Sequence, residues 1–338
     1  MHFGFTEEQH LFHRTLADLL NQECPTAVVR AAWTNPSGRS DGLWRQLAEL
    51  GILGMTVSES EGGLALTPID QVLLLQESGA TALPEPFMET TAVSLPLLGE
   101  IPSPALVDRW LSRAVAGDAL VLAGLEVNPF IPYGEQADLL LLQRGTEIHA
   151  LSPKEVQFTP QSSVDHSRRL SRVTWTPTDS SLVASGGTAR QLIHDSHNRG
   201  ALGSAAQQLG LAQAMLDLTV EYAKIREQFG KPIGSFQAVK HHLANVLLRL
   251  EFAKPLVYRG AHSLTTQDGE TDLHVSMAKL YADQAAYEAS KICLQVHGAI
   301  GYSFEHDLHL FMKRSWSLKN AWGSAAWHRN RVGKSILD

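Results

Sequence analysis

An arginine and two phenylalanines lie close together in the C-terminal half of the sequence, within the stretch Tyr222–Gln237. Arg226 has a planar guanidinium, which can donate two parallel hydrogen bonds to a pyrophosphate. Phe229 and Phe236 offer flat apolar faces that suit an adenine ring. These residue types in this spacing could bind the phosphates and base of a nucleotide. Purely structural roles are the alternative, with Arg226 in a surface salt bridge and both phenylalanines in the core.

A second stretch, Gln295–Tyr302, contains residues that let a ligand approach the backbone. Gln295 can donate and accept hydrogen bonds toward a phosphate or a ribose. Gly298 and Gly301 lack side chains, so the main chain there can lie close to a ligand. Alternatively, the two glycines simply end a helix.

Long amphipathic helices are predicted to position both stretches. Apolar residues recur every three or four positions over Leu209–Ala223, Val239–Ala253 and Val275–Val296, with a shorter face from Asp307 to Leu318. This period is typical of helices that bury one face. It predicts an antiparallel helix bundle over residues 189–338. Pro255 is expected to kink or end its helix.

The rest of the chain is predicted to form two further domains. Residues 1–117 are mostly helical, and Thr6 and Gln9 have the spacing of a capping box. Residues 118–188 contain short apolar runs separated by Pro, Gly and Ser, the pattern of strands and turns. These runs are Ala119–Gly124, Ala137–Gln143, Glu147–Leu151 and Arg172–Trp175. The predicted fold class is α+β and mainly helical, with an N-terminal helical domain, a small middle β domain and a C-terminal helix bundle.

Composition excludes several classes of protein. The 338 residues are 44% apolar and have a net charge of −7, which argues against a dedicated binder of nucleic acid or anionic membrane. No apolar run reaches the ~18 residues of a membrane span. Residues 1–8 lack the basic patch and apolar run of a signal peptide. The two cysteines are too few for a disulfide framework or a zinc site. We therefore expect a cytoplasmic protein.

The two stretches resemble motifs of the acyl-CoA dehydrogenases. The first reads YAKIREQFGKPIGSFQ and the second QVHGAIGY. The order of helical, β and helical parts is similar to that family along nearly the whole chain. The resemblance implies FAD as the cofactor, with its adenosine-diphosphate half bound across a subunit interface, on a flavin held mainly by a neighbour. The residues implied to bind FAD are Arg226, Gln228, Phe229, Phe236, Gln295, Val296, Gly298 and Ala299.

One flavin-binding element of that family is missing from the sequence. Family members carry a Thr-Glu-Pro-x-x-Gly-Ser-Asp type segment at the start of the β domain, which holds the flavin ring and phosphates. Here the run Val121–Leu125 continues through Glu126–Phe130 to Tyr133–Asp138 without a Gly-Ser-Asp element. The Trp-containing loop that usually follows is also absent. We therefore expect a trimmed middle domain that is poorly equipped to hold its own isoalloxazine ring.

The family's catalytic base is missing as well. The reaction removes an α-proton from an acyl thioester while a β-hydride passes to the flavin, and it needs a carboxylate whose pKa is raised by burial. Most family members have a Glu where this chain has Trp322, and an indole cannot accept the proton. Some relatives place the base on an earlier helix, where Asn198–Gly203 contains no carboxylate. No catalytic residue is assigned.

Other polar residues are interpreted as structural. Glu305 is the nearest acidic residue, but a Glu near this point is common in the family for structural reasons. His306 and His309, even with Asp307, do not make a metal site without further ligands, so no metal site is predicted. Residues 166–169, His-Ser-Arg-Arg, which follow Asp165, are expected to form a surface turn of the β domain.

This combination of features is similar to one subunit of bacterial acyl-CoA dehydrogenases of steroid side-chain breakdown. Those enzymes are α2β2 heterotetramers of two unequal homologous subunits, and only one subunit keeps the base and the flavin-ring contacts. The resemblance implies the other role here, with a longer homologous partner, an acyl-CoA substrate and an electron-transfer flavoprotein as acceptor. Two alternatives stay open. One is a self-sufficient homotetrameric dehydrogenase with a base such as Glu305, and the other is a non-enzymatic binding module.

Overall fold

A computed structural model describes residues 4–40 and 42–337. Residues 1–3, on which part of the signal-peptide argument rests, lie outside the described residues. Within the described ranges, none of the helices combines the length and the apolar composition that a membrane span requires.

Contacts along the chain divide it into two compact units. One unit contains Met1–Ala27, Val72–Leu83 and Ser204–Asp338, and the other contains Val28–Gln71 and Pro84–Gly203. The three-domain division at residues 117 and 188 stays a prediction.

Helices make up most of the chain, as the sequence pattern predicts. They are α1 (Glu7–Glu23), α2 (Thr26–Thr34), α3 (Leu43–Glu49), α4 (Pro68–Ala80), α5 (Leu95–Glu100), α6 (Pro104–Val115), α7 (Gly186–Ile225), α8 (Gln237–Thr266), α9 (Thr271–His297), α10 (Leu308–Leu318) and α11 (Ala325–Leu337). The predicted capping box opens α1, because the Thr6 hydroxyl accepts from the Gln9 backbone and the Gln9 side chain accepts from the Thr6 backbone.

Two small sheets lie in the second unit. Their strands are β1 (Val121–Gly124), β2 (Phe130–Pro132), β3 (Leu139–Arg144), β4 (Glu147–Leu151), β5 (Gln157–Gln161), β6 (Leu170–Thr174) and β7 (Leu182–Ser185). One sheet has the order β1-β3-β4-β7, in which β1 and β3 are parallel, and the other has the antiparallel order β2-β6-β5. The four predicted strands are present, whereas β2, β5 and β7 were not predicted. The predicted α+β, mainly helical fold is confirmed.

The surface turn predicted over residues 166–169 is wrong in part, because the turn forms but two of its residues are buried. Asp165, Ser167 and Arg168 are buried, and Arg168 Nη2 donates to Glu89 Oε1 at 3.0 Å. Asp165 accepts hydrogen bonds from the backbone and the hydroxyl of Ser167. The segment is polar because it is folded around an internal ion pair, and polar composition alone does not distinguish that from exposure.

Helices α8 and α9 pack antiparallel in the first unit and are joined by the short connection 267–270. The face of α9 toward its neighbours is lined by small residues such as Ala278, Ala282 and Ala289, which are fully buried. Helix α8 runs through Pro255 without ending there, and the kink stays a prediction.

Candidate functional site

The first predicted stretch forms a tight hairpin directly after α7. Strands β8 (Glu227–Gln228) and β9 (Lys231–Pro232) pair antiparallel, and Phe229 and Gly230 form the turn between them. The φ angles of these two turn residues are +53° and +77°. Positive φ at both central residues is the signature of a type I′ hairpin, which usually holds Asn or Gly. A phenylalanine in this conformation is uncommon and strained, and strain of this kind is often found at functional sites.

The hairpin presents aromatic and cationic groups to solvent. Phe229 is 92% exposed, and its ring meets Phe236 edge to face at 6.1 Å between centroids. The Lys231 ammonium lies 4.5 Å from the centre of the Phe236 ring. Arg226 is exposed, and its side chain has no hydrogen-bond or ion-pair partner among the described residues. Gln228 is exposed on β8. The salt bridge and core roles considered for Arg226 and Phe229 are therefore not observed.

The second predicted stretch lies at the end of α9. Gln295 is exposed in the last turn and Val296 is half-buried. Gly298 ends the helix with a φ of +62°, which confirms the structural alternative for this residue. A side chain at Gly298 would meet nothing within 4 Å, so the main chain is open to a ligand. Ala299 is exposed on the 3-10 turn Gly298–Tyr302.

The eight predicted residues therefore fall into two groups, one on the hairpin and one at the end of α9. Among the residues that the structure describes, no hydrogen bond or ring contact joins one group directly to the other. Because α8 and α9 are antiparallel and closely connected, the start of α8 and the end of α9 lie at the same end of this helix pair. Phe236 and Gly298 are the residues that flank these two helix ends.

A cluster of three rings is connected along the chain to both groups, and sequence reasoning assigned no role to it. The rings of Tyr222 and His297 stack with centroids 4.5 Å apart and an interplanar angle of 21°. His306 meets the His297 ring at 4.5 Å with an interplanar angle of 64°. The only sequence signal was position, because Tyr222 is one helical turn before Arg226 and His297 directly precedes Gly298.

The exposed groups fit the adenosine-diphosphate half of FAD. The unpaired guanidinium of Arg226 suits a diphosphate, and the open ring of Phe229 suits an adenine face. The main chain at Gly298 allows close approach. Gln228, Phe236, Gln295, Val296 and Ala299 would flank such a ligand. When bound, FAD supplies the acceptor for a hydride.

Trp322, at the position where the resemblance predicts the family's base, is a buried residue. It is 1% exposed and adopts a φ of +60°, while the following Gly323 has a φ of +109°. The Trp322 carbonyl accepts a hydrogen bond from His328 Nε2 at 3.0 Å. His328 Nδ1 in turn lies 3.1 Å from the hydroxyl of Ser276 on α9. The turn between α10 and α11 is thus fixed by buried contacts, although it presents no carboxylate.

A buried ion pair on α9 holds the start of the same turn. Lys279 is fully buried, and its Nζ donates to Asp283 Oδ2 at 2.5 Å and to the carbonyls of Leu318 and Lys319 at 3.4 and 3.3 Å. These carbonyls lie at the end of α10, where backbone acceptors lack helical partners. Burial lowers the pKa of Lys279 and raises the pKa of Asp283, while each partner's charge opposes the other's shift.

The amide of Gln208 completes the hydrogen bonding of this ion pair. Its Nε2 donates to Asp283 Oδ1 at 3.1 Å and to the Ser315 carbonyl at 3.0 Å. Asp283 is therefore tied to both α7 and α10, so the pair links three helices around the turn.

Glu305 does not have the surroundings of a catalytic base. It is exposed, and its carboxylate accepts from the Ser303 hydroxyl at 3.4 Å. A base for this chemistry needs a buried carboxylate. Throughout residues 4–40 and 42–337, no group of histidine, cysteine or acidic side chains has the arrangement of a metal site, His306 and His309 included.

Solved structures of similar fold match this chain over nearly its whole length. The ChsE4-ChsE5 complex from Mycobacterium tuberculosis contains a chain that matches with a TM-score of 0.90 at 23% identity, covering 100% of this chain and 99% of that chain. The Tcur3481-Tcur3483 steroid ACAD matches with a TM-score of 0.87 at 23% identity, covering 98% of each chain. At this level of identity the likeness shows the fold.

Sequence comparison identifies the family. The model of the acyl-CoA dehydrogenase N-terminal domain matches residues 6–118, and the model of the C-terminal domain matches residues 191–337. Acyl-CoA dehydrogenase IpdE2 of Mycobacterium tuberculosis is 33% identical over 311 residues, which cover 91% of each chain. With matches at both ends of the chain and this relative along nearly its full length, the protein belongs to the acyl-CoA dehydrogenase family, whose members are FAD-dependent flavoproteins.

Proposed function

We propose that this chain is the subunit of a heteromeric acyl-CoA dehydrogenase that completes the FAD site without supplying the base. Its hairpin and the end of α9 bind the adenosine-diphosphate half of the cofactor, which is held mainly by a homologous, longer partner. That partner contributes the carboxylate that removes the α-proton. The observation that carries the proposal is the Phe229 ring, which is 92% exposed on a strained hairpin beside an unpaired arginine.

The apolar and cationic groups exposed on the hairpin favour contact with a ligand or another chain over contact with solvent. An apolar ring in water is unfavourable, and exposed apolar surface often marks a binding site. Arg226 adds a planar donor with no acceptor of its own in the described chain. A cofactor bound to a neighbouring subunit would cover the Phe229 ring and would also provide a hydrogen-bond acceptor for Arg226.

A second exposed surface supports a partner chain. Helices α8 and α9 border a groove of about 510 Å³, in which Leu248, Phe252 and Tyr281 are 54%, 65% and 49% exposed. Arg249 and Glu288 also line this groove, so charges of both signs flank its apolar side chains. A homologous helix pair, with the same alternation of apolar and charged residues, is a suitable occupant.

The chemistry of the partner and substrate follows from the resemblance and from the structural neighbours. One neighbour is a complex of two named chains, and another is described as a steroid ACAD. We extend both features to this protein and propose an α2β2 assembly that acts on a steroid side-chain acyl-CoA. An electron-transfer flavoprotein is the proposed electron acceptor. The cytoplasmic location stays a prediction.

The division of labour is testable by co-expression. The chain should be purified alone and with each longer acyl-CoA dehydrogenase of the same genome, beginning with the one encoded nearest. We expect the lone chain to contain no stoichiometric flavin and to oxidise no acyl-CoA. With the correct partner, it should co-purify in equal amounts, with flavin that steroid acyl-CoA thioesters reduce.

Two outcomes of this experiment would contradict the proposal. A lone chain that binds FAD stoichiometrically and oxidises an acyl-CoA would be self-sufficient. A partner that co-purifies without flavin, under conditions in which the partner's own fold is intact, would instead indicate a non-enzymatic binding module.

Substitution of Glu305 tests the self-sufficient alternative directly. The Glu305→Gln variant removes the carboxylate and keeps the size of the side chain. Because Glu305 is exposed and lacks the buried surroundings of a catalytic base, we expect turnover of the assembled enzyme to stay within about twofold of wild type. A loss of ~100-fold or more in turnover, the scale of general-base catalysis, would identify Glu305 as the base.

A further inference from the structure

The rings of Tyr222, His297 and His306 form a compact cluster at the ends of two helices. Tyr222 belongs to the last turn of α7, His297 is the last residue of α9, and His306 precedes α10. Besides the Tyr222–His297 stack, His306 approaches Tyr222 edge-on at 6.2 Å. The Tyr222 hydroxyl is 3.5 Å from the His297 carbonyl oxygen, at the limit of a hydrogen bond.

Both ends of this cluster connect directly to a predicted cofactor-binding segment. The Arg226 backbone N–H donates to the Tyr222 carbonyl at 2.9 Å, so the position of Tyr222 determines where the hairpin leaves α7. On the other side, His297 is covalently joined to Gly298. The stack of Tyr222 on His297 therefore connects the two segments, and among the described residues no hydrogen bond or ring contact joins them directly.

The His297 ring is held by burial and by a single hydrogen bond. It is 4% exposed, and its Nδ1 donates to the Cys293 carbonyl at 2.8 Å. Its Nε2 atom is buried and has no hydrogen-bond partner among the described residues. A buried polar atom without a partner is unfavourable, so a role in stability alone does not explain a histidine here. The ring also contacts Tyr222 and His306, each with centroids 4.5 Å apart.

We propose that Tyr222 and His297 are positioning residues that couple the hairpin to the α9 end, and so set the spacing of the two halves of the adenosine-diphosphate site. This inference rests on the proposed function, in which the hairpin and the end of α9 bind FAD. Neither residue needs to touch the cofactor. Each acts through the neighbour that does, Arg226 in one segment and Gly298 in the other.

Hydrogen exchange measured by mass spectrometry tests the coupling in the full chain without any cofactor. The Tyr222→Leu variant removes the ring from α7. Exchange should accelerate by about 2- to 10-fold across the far segment 298–303, where the Ser303 N–H donates to the Ile300 carbonyl. Reciprocally, His297→Ala should accelerate exchange in the hairpin, where the Ile233 N–H donates to the Arg226 carbonyl.

Conservative variants and a matched control separate coupling from general destabilisation. Tyr222→Phe and His297→Phe keep a flat ring, so exchange in the far segment should return to within about twofold of wild type. The control is Trp175→Leu, which breaks a different ring contact, to His149 at 4.8 Å in the β part of the chain. It should change exchange in neither segment.

The outcomes distinguish this inference from the proposed function. Exchange that accelerates only in the mutated segment would overturn the coupling, whatever the cofactor does. The flavin content of the co-purified complex gives the second readout, and Tyr222→Leu should lower it while Tyr222→Phe should not. Coupled exchange with unchanged flavin content would leave the coupling standing and contradict the proposed role of the two segments.

Discussion

Replacing Arg226 by alanine is expected to strip FAD from the assembled enzyme while leaving the fold of the chain unchanged. A hydrogen bond to a charged group contributes about 1.5–3 kcal/mol, so the loss of the guanidinium should weaken FAD binding roughly 10- to 150-fold. The side chain is exposed and has no partner in the described chain, so the melting temperature of the isolated subunit should stay the same. Fluorescence titration of the flavin-free complex with FAD measures the affinity.

Two further variants make the result for Arg226 specific. Arg226→Lys keeps the charge but not the planar fork, and its FAD affinity should lie between those of the wild type and the alanine variant. Arg329, exposed on α11, is the matched control, and its alanine variant should bind FAD as the wild type does. If the Arg226→Ala complex retains FAD with unchanged affinity, the hairpin does not bind the cofactor.

Breaking the Lys279–Asp283 pair is expected to cause the largest loss of stability. The Lys279→Met variant leaves a carboxylate buried without its counter-charge, which typically costs about 3–5 kcal/mol. For a unit of this size the melting temperature should fall by roughly 6–20 °C. Thermal unfolding followed by circular dichroism measures the change. The double variant Lys279→Met/Asp283→Leu should recover most of the loss, because it removes both charges together.

A partly exposed ion pair in the neighbouring helix provides the control for this cycle. Lys254 Nζ lies 2.5 Å from Glu251 Oε1 on α8, and the two side chains are 23% and 52% exposed. Lys254→Met should change the stability by no more than about 1 kcal/mol. Effects of Lys279→Met and Asp283→Leu that simply add in the double variant would mean that the buried pair has no interaction of its own.

The helices of the C-terminal part were predicted from apolar residues that recur every three or four positions. Leu250 and Ala253 of α8 and Ala282 and Ala289 of α9 are all buried, as their spacing predicts. Near the end of α9 the prediction fails by one residue, because Cys293 is buried whereas Ile292 is half-buried. Because an α-helix has 3.6 residues per turn, the buried face shifts gradually relative to a fixed spacing of three and four residues. At this point of α9 the shift places Cys293 in the core instead of Ile292.

Features that depend on distant partners had no sequence signal. Arg168 is buried because Glu89, 79 residues earlier, supplies its counter-charge, and nothing local distinguishes it from a surface arginine. Motif residues of the candidate site were identifiable from resemblance, but their conformations were not. The positive φ of Phe229 and the stacking of Tyr222 on His297 follow from the folded backbone, which brings together residues far apart in sequence.

The strained tip of the hairpin also bears on how the cell keeps the two chains of such an enzyme in balance. Chaperones and proteases recognise large apolar groups that remain accessible after folding. In the proposed assembly, copies made in excess over the partner would display the Phe229 ring continuously, whereas paired copies would mask it. We therefore expect orphan copies to be short-lived, so that degradation rather than matched synthesis adjusts the stoichiometry of the pair.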